Sequence, residues 1–353
     1  MNIFNDALDI TIPKVLLETY QLEDILFFDI ETTGFAFRNS QIYLIGCLYF
    51  KDNIPFIRQF FANHMGEETE ILNAFFQFSK NFNTLIHFNG HSFDIPYLLG
   101  KCKFFEIKED FSRFTECDIY KLIAPYKKLF NLPNLKQKTI EEFSSIHRKD
   151  KYNGGELIPV YHSYAKEPKQ ELLDILLLHN HEDLEGMLKL SALLSLKYFH
   201  AEQVQYQDWK INNDSVLFSL KLAYPLPFSF HYQGDFFSVH SEGEDLFVSV
   251  PIYSGTLKYF YSDYKNYYYL PFEDMAIHKS VAEYIDKNCR QKARASTCYS
   301  KKEGCFLMQP YEILSPAFRQ EYKDKVCYFS LEELKNTNTS LLCTYIFSLI
   351  QMR

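Results

Sequence analysis

The chain has no excess of positive charge. Lys and Arg number 37 against 45 Asp and Glu, a formal net charge of −8 over 353 residues. That excludes a simple polycation wrapped on nucleic acid and leaves a local basic track as the route to such a partner. None of the eight cysteines forms a C-x-x-C pair, which argues against a zinc ribbon or a thioredoxin-like site. Scattered thiols in a chain this long read as reduced, mostly buried groups of a cytoplasmic protein. No apolar run is long enough to span a membrane; "LLDILLLHN", residues 172–180, is broken well short of it. The opening "MNIFNDALDITIPKV" has no basic stretch leading into a long apolar one, which predicts no signal peptide. Internal repeats and low-complexity tracts are absent, and there is a single Trp.

What is present is apolar and aromatic. The composition is 47% hydrophobic and 23% charged, with 34 Phe and 26 Tyr, the profile of a globular rather than a disordered chain. The length suits two domains better than one. Residues 25–31 read as a strand buried on both faces, followed by the turn "TTGF". "QIYLIGCLYF" (41–50) and "IPFIRQFFA" (54–62) read as an antiparallel pair joined at Lys51–Asn53. A helix is predicted over 67–81, a short strand over 84–89, and a helix starting at Asp94 with Pro96 in its first turn. Residues 118–200 are mostly helical in pattern, and the texture changes near 200. Residues 1–200 are therefore expected to form an α/β domain with a mixed sheet flanked by helices. Residues 201–353 are expected to form an α+β accessory domain, mostly β, with one helix over 273–295.

The stretch "FFDIETTGF" (27–35) ends an apolar strand on Asp29 and Glu31. In a strand, residues two apart share a face, so both carboxylates project together. Two neighbouring like charges repel, and each is costly in apolar surroundings; a bound divalent cation removes both penalties. Hard oxygen ligands suit Mg²⁺ or Mn²⁺. A solvated strand end would look the same in isolation. Further along, "NGHSFD" (89–94) delivers Asp94 to a helix N-terminus, where simple capping is the plainer role. "HNHED" (179–183) sets His179 and Asp183 four apart, on one face of a helix, with His181 on another.

Together, D-x-E on a first strand, N-x3-F-D after a second and H-x3-D on a later helix resemble the DEDD (DnaQ-like) 3′→5′ exonuclease superfamily, with its ribonuclease-H-like fold. They resemble most the proofreading domain of family B DNA polymerases and the YprB-type ribonuclease-H-like proteins. The likeness covers about residues 20–200 and extends to the segment 135–166. It implies that Asp29, Glu31, Asp94 and Asp183 hold two divalent ions, Mg²⁺ or Mn²⁺, and that His179 orients or deprotonates the attacking water. The departure is at His179: the polymerase type has Tyr there with the same gap, and the proofreading-subunit type has His with a gap one residue longer. By resemblance the activity is two-metal 3′→5′ hydrolysis of single-stranded DNA or RNA. The alternatives are a structure-selective endonuclease on the same fold, or a nucleic-acid-binding or partner-docking protein with a vestigial site.

Thr32, in the turn after the first acids, and Asn89 are expected beside the substrate. Asp118 reads as a helix cap, and "YNGGELIP" (152–159) lacks the Lys-Ser/Thr of a phosphate-binding loop. In the second domain, residues 287–302 hold six basic side chains, Lys287, Arg290, Lys292, Arg294, Lys301 and Lys302, and no acid. Next to the Tyr-rich stretch 259–271, they suit single-stranded nucleic acid through phosphate contact and base stacking, with Arg290, Lys292 and Arg294 as the leading contacts. The plainer alternative is a solvated helix end beside a sheet with Tyr pairs.

Overall fold

A computed structural model describes residues 1–352. The chain divides into two compact units: 1–197 with 226–228, and 198–225 with 229–353.

The first unit is built on β1 (Asn2–Ala7), α1 (Lys14–Thr19), β2 (Ile25–Thr32), β3 (Ile42–Lys51), β4 (Ile54–Phe61), α2 (Glu68–Ser79), β5 (Thr84–His87), α3 (Asp94–Phe104), β6 (Thr115–Asp118), α4 (Ile119–Ile123), α5 (Gln137–Phe143), α6 (Gly154–Lys166) and α7 (Gln170–Leu190). Its six-stranded sheet runs β1-β4-β3-β2-β5-β6. The first four strands are antiparallel neighbours, while β2, β5 and β6 are parallel. Strands β1 and β6 were not apparent in the sequence. Both are short and largely exposed or edge-lying, so they lack the apolar run that marks β2.

Alternation along β2 sorts its side chains. Leu26, Phe28 and Ile30 join a core with Ile71, Leu72, Phe75 and Phe76 of α2 and Ile95 and Leu98 of α3. The opposite face of the sheet packs Tyr43, Leu44 and Phe61 against Leu157 and Tyr161 of α6 and Leu173 and Leu176 of α7. Asp29 and Glu31 belong to the α7 side, because both reach that helix or its neighbours.

The second unit is mostly β. A seven-stranded sheet contains β7 (Gln205–Asn212), β8 (Ser215–Lys221), β9 (Phe230–Gln233), β10 (Ser238–Glu242), β11 (Asp245–Phe260), β15 (Tyr299–Gln309) and β16 (Cys327–Ser330). A small sheet joins β12 (Tyr267–Leu270), β13 (Met275–His278) and β14 (Gln291–Lys292). Its helices are the single turn α8 (Lys279–Ala282) and α9 (Thr339–Gln351), whose buried face includes Leu342, Tyr345, Ile346 and Leu349.

The helix expected over 273–295 does not form. Met275–His278 instead pair with the tyrosines of β12, burying Ala276, and only four residues coil after the His278 cap. Met275–Ile277 are successive apolar residues that suit a short strand as well as a helix, and β12 supplies the partner that decides. No helix among the described residues is long and apolar enough to cross a membrane. All eight cysteines are free thiols, six of them buried.

Candidate active site

The parallel ladder between β2 and β5 covers only Ile25–Phe27. Beyond it β5 stops at His87 while β2 runs on to Thr32, and a pocket bordered by Asp29 and Asp94 opens at the sheet's carboxyl edge, where α/β sheets commonly bind ligands. Asp94, the first residue of α3, reaches across it: its Oδ1 accepts the Ile30 N–H at 3.2 Å. Asn89 makes the turn that precedes it, with φ of 60°, a left-handed conformation that Asn tolerates. The Asn89 N–H donates to Asp118 Oδ1 at 2.8 Å, and Asp118 also takes the Tyr120 N–H at the start of α4. Asp118 thus caps a helix, and it also pins this turn.

Helix α7 docks on the sheet through one polar row. Asp29, Gly46 and Gln59 are register partners on β2, β3 and β4. Asn180 drops into the space over Gly46: a Cβ there would sit 2.0 Å from Asn180 Oδ1. Asn180 Nδ2 donates to Asp29 Oδ2 at 2.9 Å, and Gln59 Nε2 donates to Asn180 Oδ1 at 3.0 Å. This seating fixes the rotation of α7, so His179 and Asp183 face Glu31. His179 Nε2 lies 3.4 Å from Glu31 Oε1 and 3.4 Å from Asp183 Oδ2. His181 points elsewhere, to Asp6 at 3.2 Å.

The structure therefore gathers Asp29, Glu31, Asp94, His179 and Asp183, four carboxylates and an imidazole from three separate segments. Burial pushes the Asp29 and Glu31 carboxyls well above the usual range, and Asp183 and Asp94 push them further. Burial raises Asp94 to about 7 against the opposing help of its backbone hydrogen bonds. Tyr43 Oη donates to Glu31 Oε2 at 3.4 Å. One ligand atom each from Glu31, His179 and Asp183 lies within 4.8 Å of the others. Like charges crowded in low dielectric, all on hard oxygen donors plus one imidazole, fit a divalent cation such as Mg²⁺ or Mn²⁺.

A set of partners that no motif marks comes from α5 and the loop between α5 and α6. Arg148 Nη1 donates to Asp183 Oδ1 at 2.5 Å and Nη2 to Glu141 Oε1 at 2.6 Å. Glu141 in turn fills the space over Gly186 of α7. Asp150 Oδ2 lies 2.7 Å from His179 Nδ1 and accepts from Lys138 Nζ at 2.8 Å. Burial opposes its ionisation, but Lys138, the Tyr152 N–H and His179 hold its carboxyl below the usual range. Glu182 takes the N–H groups of Lys149 and Asp150. Arg148 and Asp150 read as ordinary charged loop positions in the sequence, and only the fold brings them to α7.

Two pockets open on either side of Asp29 and Ile30. One, of about 350 Å³, is lined by Glu31, Thr32, Gly34, Gly154, Ile158 and Asp183. The other, of about 640 Å³, is lined by Phe88, Asn89, Asp94, Tyr120 and Lys136. Phe35 and Phe93 border both, with rings 6.1 Å apart, and Phe35 is 90% exposed. In the turn "TTGF" the Thr33 N–H donates to Gln41 O at 2.9 Å. The Thr32 hydroxyl is likewise engaged, donating to Gly34 O at 2.9 Å.

The basic candidates lie in the second unit. The Arg290 guanidinium donates to Ala282 O and sits 4.9 Å over the Tyr268 ring. Lys301 pairs with Asp274 and Lys302 with Glu332. Lys287, Lys292 and Arg294 make no ion pair among the described residues. The run alternates single 3₁₀ turns, Lys287–Cys289 and Ala295–Thr297, with strand residues of β14 and β15, and half of its basic groups are already engaged within the unit.

The RNase_H superfamily matches residues 26–195. Among solved structures the chain is similar to the family B DNA polymerase of the hyperthermophilic archaeon Pyrobaculum calidifontis, with 12% identity and a TM-score of 0.40 over 70% of this chain and 36% of that one. It is similar to the zinc-bound complex of E. coli ExoI with ssDNA, with 12% identity and a TM-score of 0.28 over 57% and 55% of the two chains. Against exonuclease I in complex with the inhibitor BCBP the values are 13% and 0.28, over 56% of each chain. The chain thus spans from about a third to just over half of these structures. No curated protein matches it. Residues 26–195 form a ribonuclease-H-like mixed sheet flanked by helices, with an additional antiparallel β unit after it.

Proposed function

We propose that this ribonuclease-H-like domain is a divalent-cation-dependent nuclease that hydrolyses single-stranded DNA or RNA from the 3′ end, in the cytoplasm. The observation that supports it most is the convergence of Asp29, Glu31, Asp94 and Asp183 on one crevice, where burial and the neighbouring acids raise the carboxyls of Asp29, Glu31 and Asp94. These four residues would hold Mg²⁺ or Mn²⁺, two ions in the full assembly. Bound there, the ions would acidify a water and offset charge on the phosphate and the leaving oxygen.

The chain's own groups do the rest. Asn180 fixes the Asp29 carboxylate, and the Ile30 N–H fixes that of Asp94. His179 Nε2, between Glu31 and Asp183, is placed to take a proton from the attacking water. The exposed Phe35 face suits stacking of an unpaired base, and the pockets on its two sides have nucleotide-scale volumes. Lys287, Lys292 and Arg294 would contribute phosphate contacts from the second unit.

A binding-only protein has one observation in its favour: Arg148 already neutralises part of Asp183. Oligonucleotides of DNA and RNA, labelled at the 5′ or the 3′ end and incubated with Mn²⁺ or with chelator, separate the readings. A ladder shortening stepwise from the 3′ end, only with the metal, is expected. Internal cuts would indicate an endonuclease, and unchanged substrate a binding protein.

A further inference from the structure

We propose that Asp150 is a positioning residue for His179: it holds the imidazole as the Nδ1–H tautomer, with the Nε2 lone pair turned between Glu31 and Asp183. The inference rests on the nuclease reading for its catalytic consequence, but not for its geometry.

The contact is short and enclosed. His179 Nδ1 and Asp150 Oδ2 are 2.7 Å apart, and the two side chains are 6% and 2% exposed. The same carboxylate oxygen accepts from the Lys138 ammonium, and Oδ1 accepts the Tyr152 N–H at 3.0 Å. An ionised carboxylate only accepts, so the hydrogen between the two groups belongs to Nδ1. Neutral imidazole then has its lone pair on Nε2, the atom 3.4 Å from each of the two site acids. Asp150 is itself held: its N–H and that of Lys149 donate to Glu182, three residues beyond His179 on the same helix. The loop is thereby tied to helix α7 at His179 and again at Glu182, and the ring cannot turn without losing a buried charge-assisted hydrogen bond. The arrangement follows the general logic in which a buried acid orients a histidine and stabilises its protonated form.

Asp150→Asn tests this with little change of shape. The amide oxygen can still accept the Tyr152 N–H, which turns the NH₂ toward His179, while the Lys138 ammonium, losing its acceptor there, keeps its bond to the Tyr152 carbonyl. That donor requires a lone pair on Nδ1 and moves the ring proton to Nε2, where a water can no longer be deprotonated. Two readouts are needed. In metal-free protein labelled with ¹⁵N-histidine, long-range ¹H–¹⁵N correlation should show the Nδ1–H tautomer for His179 in the wild type and the Nε2–H tautomer in Asp150→Asn. In kinetics on a single-stranded oligonucleotide, kcat should fall by about 10²–10⁴-fold, with KM and Mn²⁺ affinity at wild-type values. A wild-type His179 found as the Nε2–H tautomer would overturn the proposal, whatever the variant does. So would an Asp150→Asn protein with wild-type tautomer and kcat. A wild type inert on every oligonucleotide would sink the nuclease reading, and the spectra alone would still decide whether Asp150 sets the ring.

Discussion

His179 and His181 sit two residues apart on one helix and do different things. His179 is enclosed by Glu31, Asp150 and Asp183, while His181 pairs with Asp6 at the edge. His179→Ala is expected to lower turnover by roughly 10²–10⁴-fold with Mn²⁺ affinity largely kept, and His181→Ala to be near neutral. Steady-state kinetics on both variants checks this, and the reverse ranking would mean that the helix presents the wrong face. Asp94 gives a pH prediction. Its folded carboxyl titrates at about 7, raised by burial, against about 3.9 in an unfolded chain. The folded state therefore holds a proton that the unfolded state releases between these values, so this contribution to stability is full below pH 4 and lost as pH rises through 7. Burial and repulsion raise Asp29 and Glu31 in the same direction. In chelator, the urea midpoint should fall between pH 4 and pH 7 more steeply for wild type than for Asp94→Asn, and Mg²⁺ should flatten the wild-type slope. Equal slopes for both proteins in chelator would show that Asp94 is already ionised in the folded state.

At the scale of elements, the site depends on how α7 is seated. Gly46 lies between Asp29 and Gln59 because Asn180 needs the space above it. Gly46→Ala should push on the helix and cost on the order of 1–3 kcal/mol, measured by urea unfolding. The variant should lose activity beyond what its stability explains, because His179 and Asp183 ride on that helix. A wild-type stability would show that α7 can shift without penalty. The acids were legible in the sequence because each closes a recognisable segment: Asp29 and Glu31 an apolar strand, Asp94 a turn into a helix, Asp183 a helix face. Asn180, Arg148 and Asp150 were not. Asn180 sits beside His179 yet faces the sheet, and its role exists only through a glycine over a hundred residues away in the chain. Arg148 and Asp150 come from a charged loop whose spacing carries no period. Strand β1 was illegible for a related reason, since its exposed pattern, NIFNDA, becomes a strand only against β4.

At the scale of the whole molecule, the second unit is where sequence reading was weakest. The segment 273–295 mixes apolar and charged residues in a way that suits a helix locally, and pairing with the Tyr-rich β12 overrode it. The chain is acidic overall, so any hold on nucleic acid must come from local groups such as Lys287, Lys292 and Arg294. Replacing these three by Glu should weaken oligonucleotide binding and reduce the salt slope by about one per lost phosphate contact. Turnover at saturating substrate should stay unchanged. Identical binding isotherms across salt concentrations would remove this unit from substrate contact. The central claim is that Asp29 and its neighbouring acids are a hydrolytic metal site. Single-turnover cleavage of a single-stranded oligonucleotide in Mn²⁺, with wild type and Asp29→Asn side by side and melting temperatures matched, tests it most directly. A loss on the order of 10³-fold or more in the variant is predicted; equal rates would contradict the account.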